Sequence, residues 1–171
     1  MRSLALLSCM IFAAGLAYAQ PEAKNFVAHL SGDEEVPLRE TGGAGQAVFQ
    51  LNSSESQLAF RLIVANIDNV IASHIHVGPA GANGPVVAFL YGPAAPAGGR
   101  IQGVIGEGLI DSSDLTGPLL GLELSVLIEA LRTGGAYVNV HTNDGIDPVN
   151  TGPGDFPGGE IRGQIRAAGP R

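Results

Sequence analysis

The chain is interrupted too often to build long helices: 25 glycines and 11 prolines are spread through its 171 residues. In a helix interior glycine costs ~1 kcal/mol and proline ~3 kcal/mol relative to alanine, so a helical bundle could not carry this load. A turn-rich β protein uses both residues where its strands reverse. No glycine period of three runs through the sequence, which excludes a collagen-like rod. At 45% hydrophobic and 15% charged residues, the chain is too apolar for disorder and suits one compact domain.

Between the turn signals lie short alternating or β-branched runs at 25–31, 45–52, 57–65, 70–77, 85–91, 101–110, 136–141 and 159–166. Phe26, Ala28 and Leu30 alternate with Val27 and His29, and Leu58, Phe60 and Leu62 with Ala59 and Arg61. That is the period of a strand with one face in the core. The spacing predicts an all-β fold, an antiparallel, Greek-key-like sandwich or barrel of roughly seven to nine strands. One segment departs from it. Leu119, Leu120, Leu122, Leu124, Val126, Leu127, Ile128, Ala130 and Leu131 recur at three- and four-residue steps and stop at Thr133-Gly134-Gly135. This predicts one short helix near 119–133 with a glycine C-cap, opened by Asp114 or Thr116 with Pro118 just inside. Its expected role is to plug an open edge or end of the sheets.

Residues 1–19 read as a secretory signal peptide. Arg2 supplies the charge, an apolar run extends from Leu4 to Leu16, and Ala17-Tyr18-Ala19 places cleavage before Gln20. Residues 20–171 are then the mature domain, expected to be periplasmic or secreted and a monomer or weak oligomer. A lipobox at Leu6-Leu7-Ser8-Cys9 fits less well, because most of the apolar run follows Cys9. No later apolar stretch approaches ~20 residues, so no membrane span is expected. Cleavage would remove the single cysteine, Cys9, and, with Arg2, take the net charge from −7 to −8. A chain without thiols has no cysteine nucleophile, iron–sulfur cluster, thiolate zinc site or blue-copper centre. The acid excess and the lack of a basic run exclude nucleic acid and anionic membrane surfaces as partners. Asn52-Ser53-Ser54 matches the glycosylation pattern, which is short enough to arise by chance.

Three of the four histidines carry the chemistry. His74 and His76 are two apart on a strand, so they share a face with Cα atoms ~6.5–7 Å apart and can converge on one ion, while Ile75 faces the core. Alternation puts Tyr137, Asn139 and His141 on one face of a second strand, the source a three-ligand site needs. A site made of imidazoles selects copper or zinc over magnesium or calcium. Asp33, Glu34 and Asp144 are candidate orienters of the imidazoles, and His29 is either a polar surface position or a fourth ligand. The same histidines would be structural if they bonded backbone and loop carboxylates and so fixed the glycine-rich loop that follows. In that case loops 78–84 and 142–158 would contact an extracellular protein or glycan. The second loop also offers Asp144, Asp147 and Asp155 as calcium ligands, at a spacing unlike any calcium loop. Glu160, Arg162 and Gln164 share a face opposite Ile161 and Ile165. Glu160 and Arg162 are expected to form a partly shielded network pinning the last strand to the first, with Glu35 as a partner.

Four stretches, at 26–37 (FVAHLSGDEEVP), 74–86 (HIHVGPAGANGPV), 136–142 (AYVNVHT) and 158–165 (GGEIRGQI), resemble the chordin-type CHRD domain in sequence and order. The resemblance implies one compact exported β domain with a short helix before the AYVNVHT strand, and no defined reaction. The loop at 143–156 is longer than the family's, and His29 stands where small or hydroxyl residues are common. The histidine pattern is also loosely similar to copper-zinc superoxide dismutases: a His-x-His strand, a later Val-His, and a glycine-rich loop ending in an arginine before the last strand. That likeness covers His74, His76, His141 and Arg162. Lacking the disulfide cysteines and a bridging histidine, the chain would resemble a copper-only form, with Arg162 attracting the anionic substrate.

Overall fold

A computed structural model describes residues 22–169. The signal peptide, its cleavage site and Cys9 lie outside the described residues. Nine strands form one antiparallel sheet: β1 Asn25–Ser31, β2 Ala44–Leu51, β3 Leu58–Asp68, β4 Val70–Val77, β5 Val86–Tyr91, β6 Arg100–Ile110, β7 Ala136–Thr142, β8 Ile161–Gln164 and β9 Arg166–Ala167. The spatial order is β5-β4-β7-β8-β1-β2-β3-β6, with β9 paired to β1. The two ends of this path touch, where Gly106 of β6 lies against the Leu90 carbonyl of β5, so the sheet is a nearly closed barrel. The expected all-β class and strand positions are both present.

Alternation gives the barrel its interior. Phe26, Ala28 and Leu30 on β1, Leu62 and Val64 on β3, Ile75 on β4, Val138 and Val140 on β7, and Ile161 are all buried in one hydrophobic cluster. Each large apolar side chain so removed from water contributes roughly 1.5–3 kcal/mol before the entropy of ordering is set against it. β8 approaches β1 so closely that a Cβ at Gly163 would run into the His29 carbonyl, which is why the last long strand carries glycine there.

The one α-helix, α1 Leu124–Thr133, sends Leu124, Leu127, Ile128 and Leu131 into the same core. Gly134 ends it in the left-handed region (φ 70°), its N–H shared by the carbonyls of Ala130 and Leu131. The start differs from the expectation. Thr116 and Pro118 open only a 3-10 turn at Gly117–Leu119, and Asp114 belongs to an earlier turn where it accepts from the Asp111 N–H at 3.0 Å. Gly121 then turns the backbone to φ 77°, which breaks the helical path although the leucine spacing continues through it. The side chain of Asn52 is occupied in the β2–β3 turn, accepting from Ser56 N at 3.0 Å and donating to Ser56 Oγ at 3.0 Å.

On the outer face of β4, β7 and β8 the alternating residues are polar, and loops rather than solvent cover them. Tyr137, Asn139, Arg162 and Gln164 are all buried there. The covering segments are stitched to one another: Asn83 Nδ2 donates to the Val36 carbonyl at 2.7 Å, and Arg39 Nε to the Gly159 carbonyl at 3.3 Å. This second, polar layer is where the histidines sit.

Candidate metal centre

His74 and His76 point from β4 to the outer face while Ile75, fully buried, enters the core. In the β4–β7 register His74 pairs with Asn139, His76 with Tyr137 and Ala72 with His141, so His141 lies diagonally across from His74. One ligating nitrogen from each of the three imidazoles lies within 4.8 Å of the other two. His74 Nδ1 and His141 Nε2 are 3.1 Å apart.

Backbone carbonyls decide which nitrogens are bare. His76 Nδ1–H donates to the Gly84 carbonyl at 2.8 Å, leaving Nε2 as a lone pair that is buried and has no hydrogen-bond partner. His141 Nδ1–H donates to the Pro157 carbonyl at 2.9 Å, which leaves its Nε2 as the acceptor for His74 Nδ1–H. An unpartnered buried nitrogen is costly in a closed protein. A ligand in place of the missing partner removes that cost, and neutral imidazole nitrogens are the donor set of copper and zinc. The residues therefore fit a metal ion. The exposed Phe89 ring packs edge-on against His74 at 4.7 Å and walls one side of that imidazole.

Electrostatics keep the cluster deprotonated. Burial, then the neighbouring His141 and His76, push His74 from 6.5 down to about 4. Burial also lowers His76, against the opposing pull of the Gly84 carbonyl and Asn139, with the Arg162 charge adding to the lowering. His141 is lowered by burial and by His76, with Pro157 opposing. The rings are thus neutral near neutral pH, and the one proton an incoming cation has to move is that of the His74 Nδ1–H bond to His141 Nε2.

The linkage to folding has a definite sign. A histidine with a depressed folded pKa binds fewer protons when native, so its contribution is full above about pH 6.5 and is lost as pH falls toward 4. Glu35 opposes this. Burial raises it from 4.5 to about 7, against the Val36 N–H and the charges of Arg162 and Arg39, so its contribution is full below pH 4.5 and lost as pH rises through 7. Metal-free Glu35→Gln protein should therefore lose thermal stability between pH 7 and pH 4 more steeply than the unaltered chain. Melting curves across that interval test this, and parallel pH profiles would contradict it.

The other expected site residues fall into distinct places. Arg162 is 1% exposed. Its guanidinium stands 3.5 Å over the Tyr137 ring, which is stacked on its other side against His76, since β7 runs between β4 and β8. Asp33 and Glu34 are exposed in the turn Gly32–Glu34, and Asp144 accepts from Ile146 N at 2.8 Å. None of the three has a hydrogen bond to an imidazole, and the carbonyls of Gly84 and Pro157 orient the rings instead. His29 is exposed on β1, outside the cluster. Asp147 is exposed, while Asp155 is buried and accepts from Thr151 N and Oγ1, both at 2.9 Å; no acidic group of the loop joins a metal-holding cluster among the described residues.

The expected Glu160–Arg162 network is two networks. Glu160 accepts from Thr41 Oγ1 and Thr142 Oγ1, both at 2.6 Å, and from Gly154 N at 2.7 Å. Arg162 instead donates to loop 78–84, with Glu35 near enough to feel its charge. Sequence reasoning missed the grip of the Tyr137 hydroxyl on Gly84 and the wall made by Phe89. The place of Tyr137 on the histidine face was the one signal available.

The family model of the CHRD domain matches residues 26–165. No curated protein and no solved structure matches the chain.

Proposed function

The chain belongs to the CHRD domain family, and from that premise we propose that it is an exported metal-binding domain in which His74, His76 and His141 hold one copper or zinc ion. The observations that carry this are the buried, partnerless His76 Nε2 and the convergence of one nitrogen from each of the three imidazoles within 4.8 Å of the others. Export rests on residues 1–19, and Gln20 as the first residue of the purified protein would bear it out. Among the described residues no helix is long and apolar enough to cross a membrane.

With copper the reading extends to superoxide: two superoxide ions and two protons become dioxygen and hydrogen peroxide. The metal would supply a one-electron couple. The chain supplies three neutral donors, an aromatic wall beside His74, and a guanidinium whose charge reaches His76, which favours an anion near the site although the protein as a whole is acidic. Copper-loaded protein is expected to consume superoxide faster than the same amount of free copper, at a rate that falls with salt, and His74→Ala/His76→Ala protein is expected to lose that gain. Equal rates for protein and free copper would remove the enzymatic extension and leave metal binding standing.

A second reading, an extracellular adhesion module, draws on the tip of loop 142–158, where Ile146 and Val149 are 68% and 43% exposed. It separates from the first because Ile146→Ser/Val149→Ser would weaken a partner and leave metal affinity unchanged.

A further inference from the structure

We propose that Arg162 and Tyr137 are positioning residues for the metal site, clamping loop 78–84 so that the Gly84 carbonyl fixes the tautomer and aim of His76. The proposal rests on the metal reading of His76 but is testable without metal.

The buried guanidinium donates to no carboxylate. Its NH2 group donates to the carbonyls of Pro79 at 3.1 Å and Ala82 at 3.0 Å, and its NH1 group to Asn83 Oδ1 at 3.2 Å. All three acceptors lie in the loop immediately before Gly84. A cation taken out of water and given only loop acceptors is a costly way to hold a surface segment, and its planar fork fixes three acceptors at once, which a lysine could not do. Gln164 Nε2 holds the other end of the loop, at the Gly78 carbonyl, at 2.9 Å.

Tyr137 joins this clamp to the imidazole. Its hydroxyl accepts from Gly84 N at 3.0 Å and donates to the Gly84 carbonyl at 3.4 Å, the carbonyl that takes His76 Nδ1–H at 2.8 Å. Its ring stacks on His76 at 4.8 Å with an interplanar angle of 11° and carries Arg162 on the opposite side. The loop also requires glycine at 84, because a Cβ there would run into the Val77 carbonyl. Guanidinium, phenol and one glycine thus form a continuous chain of contacts ending on the ring nitrogen that determines whether Nε2 is bare. His141 depends on Pro157 instead, so it serves as an internal reference.

The experiment compares the unaltered protein with Tyr137→Phe, which keeps the stacked ring but removes the grip on Gly84, and with Arg162→Lys, which keeps the charge but removes the fork. Nitrogen-15 ring spectra of the metal-free proteins should show His76 as a single Nδ1–H tautomer in the unaltered chain and a mixture in both variants, with His141 unchanged. Zinc(II) and copper(II) affinities should fall about 10–100-fold in the variants, the range for loss of an outer partner of a ligating histidine. An unchanged His76 tautomer in Tyr137→Phe overturns the clamp whatever the metal affinities do. If the unaltered protein binds neither metal, the metal reading fails while the spectra still decide the clamp. Should Arg162→Lys fail to fold, Tyr137→Phe alone carries the decision.

Discussion

Glu160→Ala is expected to lose about 3–5 kcal/mol of stability. The carboxylate is fully buried and is the common acceptor of three donors on three segments: Thr41 before β2, Thr142 at the end of β7, and the Gly154 amide of the long loop. Alanine strands the buried Thr142 hydroxyl and Gly154 amide and leaves the half-buried Thr41 hydroxyl to water, at roughly 1–3 kcal/mol for each buried group left unpaired. Glu160→Gln keeps the shape and one accepting oxygen, so its loss should be about half as large. The effect reaches the site, because loop 142–158 supplies the Pro157 carbonyl that orients His141, and metal affinity should fall together with stability. Denaturant unfolding of the two variants measures this, and a loss below about 1 kcal/mol for alanine would show that the three donors find other partners.

His76→Ala is expected to weaken copper and zinc binding by about 10²–10³-fold. Structural four-ligand zinc sites bind with ~10–16 kcal/mol, so one donor accounts for about 2.5–4 kcal/mol. His76 is the ligand to remove first because its buried Nε2 has no hydrogen-bond partner, whereas His74 Nδ1 and His141 Nε2 already hold each other at 3.1 Å. The metal-free variant should fold less stably than the parent but still fold, since the deletion removes the bond to Gly84 and the ring stacked on Tyr137 while also removing the unsatisfied nitrogen. Competition against a coloured chelator reads the affinity, and a change under threefold would mean that His76 is a structural histidine.

The strands are legible in the sequence because a barrel wall with its inner face in the core imposes a period of two, visible in Phe26, Ala28 and Leu30. The pair His74 and His76 is legible for the same reason. His141 needed the β4–β7 register to reach His74, 67 positions away, and alternation alone puts it on a face without choosing the neighbour. The start of α1 is not legible, because leucine spacing runs on through Gly121, where one left-handed residue ends the path. Alternation suggests one network for Glu160 and Arg162, but both side chains reach into covering loops, whose docking leaves no periodic trace. Asp33, Glu34 and Asp144 are the orienters a sequence can offer, whereas carbonyls do the orienting, and a carbonyl looks the same at every position of a sequence.

The most direct test of a three-imidazole metal site is elemental analysis of the protein purified from its own compartment, without added metal, beside His74→Ala/His76→Ala protein prepared in the same way. The prediction is close to one copper or zinc per chain in the first and almost none in the second. A metal-free parent that also fails to take up either ion on titration, or equal metal in parent and variant, would contradict it.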